Sequence, residues 1–299
     1  MLALLMLANA TLTEPPAEAL PPSETKQIVV QGQRTREKQI RNFIRELTPA
    51  PPRGQLGRFE SPVCPVVAGL GRNQNDRVAT RMRRVAEAAG MAVDKPKCRA
   101  NVILIVTGNK NEMVKLLSTK RADFFPSIDQ GFDYDALLDP AMPVAVWQIE
   151  LPRGADGRQL GAPMNSADAG KGGIYVNRVF GSATRLTPMA RKEFAGAVVI
   201  VQADAIDGLT TTQLADYAAM RAFVRTDPAK LTEAAGRSIL GIVTTPMGQP
   251  VPLTLTQWDL AFLKAYYASG LNNFAANQRS EMGKTMAREL DGAESPPAD

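Results

Sequence analysis

The chain has 299 residues, is 44% hydrophobic and 22% charged, carries a net charge of +5, and contains two cysteines and no histidine. That length can bury a real core, as one large domain or two small ones. The missing histidine excludes Ser-His-Asp and Cys-His nucleophilic catalysis, HExxH zinc sites and histidine-ligated haem. From Lys26 to Arg121 there are 20 Lys/Arg against 7 Asp/Glu, and elsewhere 15 against 23. A basic half of this kind either follows an anionic surface or forms a solvated face.

Met1–Ala10, MLALLMLANA, is an apolar run ending in Ala8-Asn9-Ala10, the small-x-small pattern of a signal-peptidase site. It lacks a basic n-region and is short, so the expected secretory signal over 1–10 is abbreviated or mis-started. The alternative is a disordered apolar N-terminus. No later stretch approaches the ~18–20 apolar residues of a membrane span. Export and release into the periplasm or the medium is the simplest history.

Thr11–Lys26 is rich in Pro, Glu, Ser and Thr and reads as a linker. Ile28–Arg34, IVVQGQR, resembles the short segment near the mature N-terminus of TonB-dependent outer-membrane receptors. Physically it is a β-prone piece, able to extend a partner's sheet edge or to be a strand of this fold. Next, Ile40, Phe43, Ile44 and Leu47 fall at helical spacing, with Arg36, Lys38, Arg41 and Arg45 opposite. This short basic helix is expected to dock on the body; a membrane surface or a partner helix are the other candidates. Pro49–Gly54 ends it and sets the expected domain boundary.

The body is expected to start near Arg58. Pro62–Ala68 is a short extended piece carrying Cys64. Asn75–Gly90 is a helix with Val78, Met82, Val85 and Ala89 inward and Arg77, Arg81 and Arg84 outward. Asn101–Thr107, NVILIVT, is a continuous apolar run and reads as a central strand. Asn109 caps a helix over Lys110–Lys120. Pro143–Leu151 is a strand containing Trp147, followed by a Gly-rich loop and an expected return strand Ile174–Phe180. Ala197–Val201 is an apolar strand, closed by Asp207-Gly208 and followed by a helix capped at Thr210 or Thr211. A helix is expected from Asp227 to about Gly241, another over Trp258–Ser269, and a last one over about Asn273–Leu290.

Cys64 and Cys98 fit one disulfide in an oxidising compartment, or two buried free thiols. Two cysteines without histidine do not make a four-ligand zinc site. Gly170-Lys171-Gly172-Gly173 is not a phosphate loop, because position 165 is Asn and no Ser or Thr follows the lysine. No calcium loop, dinucleotide fingerprint or nucleic-acid motif is present. Paired carboxylates are the remaining route to acid–base chemistry. Asp204, Asp207 and Asp216 are the weak catalytic candidates, and turn and cap chemistry is the bland reading of the same residues. Gln213, Asp216 and Tyr217 stand on the helix where a metal enzyme would need histidine. No metal and no cofactor are expected.

Three segments carry a resemblance: Gln213-Leu214-Ala215-Asp216-Tyr217, Ser238-Ile239-Leu240, and Leu255-Thr256-Gln257-Trp258-Asp259-Leu260. In this order after an apolar strand, they resemble a group of uncharacterised exported proteobacterial proteins with a zincin-like, metalloprotease-derived fold. The resemblance implies a fold that has lost, or never had, its metal, because the ligand histidines are absent. It favours a binding or scaffolding role, with an envelope protein or an anionic envelope surface as partner. The alternative is an unusual hydrolase working through carboxylates. The expected architecture is α+β: a mixed sheet flanked by helices, a helical C-terminal part and a disordered N-terminal arm. The arm spans 11–54, a single domain 55–292, and a disordered tail 293–299.

Overall fold

The computed structural model describes residues 22–51, 54–126, 132–160, 188–227, 230–232, 234–246 and 248–294. The expected signal at 1–10, the Gly170–Gly173 segment, the expected strand Ile174–Phe180 and residues 295–299 of the expected tail lie outside them. The chain divides into two compact units, Met1–Lys38 and Gln39–Asp299. The described part of the first unit is helical, from Pro22 onward. Ile28–Arg34 therefore stands in a helix, α1 (Pro22–Leu47), and not in an extended strand.

The second unit is α+β. Its described strands form one mixed four-stranded sheet in the order β1-β2-β4-β3. The strands are β1 (Pro65–Ala68), β2 (Val102–Thr107), β3 (Val144–Gly154) and β4 (Ala190–Gln202). β1, β2 and β4 run parallel, and β3 is antiparallel to β4 at one edge. The helices are the last turns of α1, α2 (Arg72–Ala88), α3 (Lys110–Lys120), the single-turn α4 (Tyr134–Leu137), α5 (Thr211–Phe223), α6 (Gln257–Ala268) and α7 (Ala275–Glu294). Gly69 sits at φ +98° beyond β1, and a Cβ there would meet the Val106 carbonyl oxygen at 1.8 Å. Only glycine lets the chain turn off β1 so close to β2.

Each face of the sheet is covered. Val102, Leu104, Val106, Val199 and Val201 pack into the larger core with α2, α5, α6 and α7. Val198, Ile200, Ala145 and Trp147 pack with Val114 of α3 and Leu137 of α4. Burial on both faces explains why the central strands are apolar without alternation. α5 is buried all round from Gln213 to Phe223, so it is the central helix of the body.

The apolar stripe of α1 belongs to this core: Ile40, Phe43, Ile44 and Leu47 are all buried. The compact body thus begins at Gln39, upstream of the Pro49–Gly54 segment. Arg279 of α7 donates to the carbonyls of Thr48 and Ala50 and anchors the chain as it leaves α1.

The partner of β3 is β4, which starts at Ala190, well before the apolar run that marks it in the sequence. Its first half is charged and holds its place by ion pairs: Arg191 to Glu60, Lys192 to Glu150 and Arg153 to Glu193. The expected helix from Asp227 to Gly241 is replaced, among the described residues, by two short 3-10 turns, Ala235–Arg237 and Ile239–Gly241. Ser238 between them is extended, and its hydroxyl caps the second turn at Leu240 N–H. A disulfide joins Cys64, just before β1, to Cys98, just before β2. It fits an oxidising, extracytoplasmic compartment. Among the described residues no helix is long and apolar enough to cross a membrane.

Candidate functional site

β4 ends in the turn Ala203–Ile206, and the chain then reverses at Asp207-Gly208 into α5. Gly208 takes φ +79°, a conformation that favours glycine at this reversal. Asp204 and Asp207 are both exposed on this turn. Asp204 accepts from the Gln202 side chain at 3.1 Å, a local turn contact.

α5 opens with a reciprocal cap. Thr210 Oγ1 accepts from Gln213 N–H, and Gln213 Oε1 accepts from Thr210 N–H. Gln213 also donates through Nε2 to the Pro252 carbonyl at 2.9 Å. One turn on, Asp216 is fully buried and takes Arg81 in a fork, Nε at 2.7 Å and Nη2 at 3.0 Å. Its second oxygen also accepts from Thr254 Oγ1 and Leu255 N–H, each at 2.6 Å. The carboxylate holds the Arg81 guanidinium above its ordinary pKa. Arg81, read from the sequence as outward-facing, is thus the counter-ion of α5. Tyr217 is buried, and burial pushes its phenol up while the Arg221 charge opposes the shift. The structure therefore gathers Gln213, Asp216 and Tyr217 on the first half of α5, where Gln213 and Asp216 staple the 252–255 loop. Asp204 and Asp207 stand apart on the exposed turn. Among the described residues no group of three or more Asp, Glu or Cys is placed to hold a metal ion.

A second buried carboxylate completes this side of the core. Asp259 of α6 accepts from Ser238 Oγ at 2.6 Å, from Ile239 N–H at 2.9 Å, and from the Thr256 N–H and hydroxyl. Among the described residues no arginine or lysine pairs with it, and burial pushes its carboxyl up against the pull of those hydrogen bonds. The Ser-Ile-Leu and Leu-Thr-x-x-Asp segments thus meet at one carboxylate.

Open space lies at the other end of α5. A cavity of about 810 Å³ is bounded by the last turn of α5, the edge strand β3, the 49–57 segment and the 136–142 segment. That volume falls within the roughly 300–1,000 Å³ of small-molecule sites. Its frame is well fixed. Gln148 Nε2 reaches across from β3 to the Arg221 carbonyl at 2.8 Å, and Tyr267 Oη donates to the Phe223 carbonyl at 2.8 Å. Both satisfy carbonyls at the C-terminal end of α5. Tyr266 Oη holds the Gly57 carbonyl at 2.6 Å. Lys110, buried, donates to the carbonyls of Leu137 and Asp139, and desolvation lowers its pKa. On the rim, Glu150 pairs with both Lys192 and Arg225.

Three side chains that border this cavity also carry nitrogen or oxygen atoms that are closed off from solvent and have no hydrogen-bond partner: Arg221 Nε, Thr226 Oγ1 and Gln55 Nε2. Arg221 is only 6% exposed and takes part in no ion pair among the described residues. The reading of the sequence gives Arg221 no role. The signal was there: Arg221 follows Tyr217 by four residues, on the same buried face.

The chain matches no protein-family model, no curated protein and no solved structure.

Proposed function

We propose that the chain is an exported, non-catalytic protein of the cell envelope, periplasmic or secreted, with a binding or scaffolding role on a zincin-like fold that carries no metal. The observation that carries this reading is the contrast between the two ends of α5. Near its start, Asp216 gives its acceptor positions to Arg81, Thr254 and Leu255. Near its end, α5 borders a cavity of about 810 Å³ whose rim carries Glu150, Lys192 and Arg225. A carboxylate tied in this way serves packing; a cavity of this size suits a small ligand.

Three further observations support it. The three segments that carry the zincin-like resemblance lie together, Ser238–Leu240 joined to Leu255–Leu260 through Asp259, and Gln213–Tyr217 joined to it through Asp216. The disulfide belongs to an oxidising compartment. Arg77 and Arg84, exposed on α2, supply a basic face for an envelope protein or an anionic envelope surface.

The test is native mass spectrometry of the full chain isolated from the envelope fraction of the cells that make it. The expected result is a stoichiometric small-molecule adduct that disappears when Leu137→Trp fills part of the cavity. Recovery of the chain from the cytosol with both cysteines reduced would sink the reading. So would hydrolysis of envelope peptides or glycans that Asp204→Asn or Asp207→Asn abolishes.

A further inference from the structure

We infer that the Cys64–Cys98 bridge is a thiol-exchange site. A small thiol opens it by attack on Cys98, and Arg83 stabilises the thiolates that are released.

Arg83 of α2 lies against both sulfurs. Its Nη1 donates to the Asp94 carbonyl at 2.6 Å, which fixes the guanidinium over the 94–98 loop. Its Nη2 then stands 3.3 Å from Cys98 Sγ and 3.7 Å from Cys64 Sγ. A disulfide is neutral and gains little from a cation. A thiolate gains much, and a neighbouring arginine makes a cysteine more acidic for that reason. A cation at this spot therefore favours the reduced pair over the bridge and makes the bridge easier to reduce. Lys95, Lys97 and Arg99, all exposed, add positive charge around Cys98, while exposed Glu87 and Asp94 oppose it. The Asp94 carboxylate accepts from Lys95 N–H.

The two sulfurs are not equivalent. Cys64 is 2% exposed, whereas Cys98 is partly open to solvent. Cys64 is also held without the bridge. Its N–H donates to Asn101 Oδ1 at 2.7 Å, and its carbonyl accepts from Asn101 N–H and Val102 N–H at 3.3 Å. Cys98 follows Lys97, which takes φ +69°, a left-handed conformation costly for a lysine. Opening the bridge lets that loop relax while Cys64 stays with the sheet. The incoming thiol loses its proton to water and meets Cys98 as a thiolate. The Cys64–Cys98 bond breaks, a bond from the incoming sulfur to Cys98 forms, and Cys64 leaves with the electron pair as a thiolate beside Arg83. A second small thiolate then displaces Cys98 from the mixed disulfide. The protein pair is reduced, and the two small thiols are oxidised to their own disulfide.

The experiment equilibrates the full, oxidised chain with reduced and oxidised glutathione at about pH 8, near the ordinary cysteine pKa. Alkylation traps the free thiols, and mass spectrometry locates and counts them. The expected intermediate carries glutathione on Cys98 and the alkyl group on Cys64. Arg83→Met is expected to lower the equilibrium constant for reduction by roughly threefold or more, and Arg83→Lys should recover part of the loss. An unchanged constant in folded Arg83→Met would overturn the role of the guanidinium. Glutathione found on Cys64, or a native bridge that resists glutathione until the chain is unfolded in urea, would overturn the site itself. Locating the adduct uses only the native protein, so that result stands even if the Arg83 variants do not fold.

Discussion

Asp216 and Asp259 are both fully buried, yet different groups answer their charge. Asp216 meets a guanidinium in a forked pair. Breaking a buried pair by removing one partner costs about 3–5 kcal/mol. Arg81 keeps 34% of its side chain in solvent, which screens the pair. The expected cost of Arg81→Met is therefore about 2–3 kcal/mol. Asp216→Asn keeps acceptor capacity for Leu255 N–H and Thr254 and is expected to cost about 1–2 kcal/mol. Urea unfolding of both variants checks the order, and a reversed order would show that the guanidinium does not neutralise the site. Among the described residues Asp259 meets only hydroxyl and backbone donors, and its carboxyl is raised from the ordinary value of 3.8. A raised acid contributes stability that is fully present below its unfolded pKa and is lost as pH rises through the folded one. The stability of the native chain minus that of Asp259→Asn is thus expected to fall progressively as pH rises above about 4. A difference that stays flat above that pH would mean Asp259 is as readily ionised folded as unfolded. Neither carboxylate's partner was legible in the sequence. Arg81 lies 135 residues from Asp216, and no local spacing encodes such a contact.

At the scale of elements, legibility followed local regularity. Asn109 and Thr210 fall where polar residues precede helical periodicity; Asn109 caps as expected, and of the two candidates Thr210 and Thr211 it is Thr210 that caps. Central strands announced themselves by apolar runs, whereas the charged first half of β4 did not, because its pairing depends on ion pairs with distant residues. The 227–241 segment failed as a helix because Ser238 bonds Asp259 and its own downstream backbone instead. The candidate ligand site was the least legible, since its cavity is assembled from four separate stretches that share no pattern. The disulfide is an element-scale device. It ties the start of β1 to the approach to β2 across a separation of 34 residues. In the chain-entropy model a loop of that length contributes about 3–4 kcal/mol. Replacing both cysteines by alanine is expected to lower unfolding stability by that amount in oxidising buffer. In reductant, the native chain should fall to the level of the variant; an unchanged midpoint would show that the sheet needs no such tie.

For the whole molecule, the question is where the body begins. The sequence places a boundary at Pro49–Gly54, and the compact unit starts at Gln39. The difference is nine residues of α1, and they carry Ile40, Phe43, Ile44 and Leu47, each no more than 3% exposed. Burying a side chain of that size stabilises by roughly 1.5–3 kcal/mol, so the four together supply about 6–12 kcal/mol. A domain's entire stability is about 5–15 kcal/mol. Two truncations separate the possibilities. A chain starting at Gln39 retains the stripe and is expected to melt cooperatively within a few degrees of the full protein. A chain starting at Thr48 loses it, exposes the apolar faces of Trp258 and Phe262 against which Phe43 packs, and is expected to lose its cooperative transition. Circular dichroism melts read both. A native-like transition for the chain starting at Thr48 would show that the last turns of α1 only cover a body complete without them. The basic helix would then be an arm, and the boundary at the prolines would be the true one.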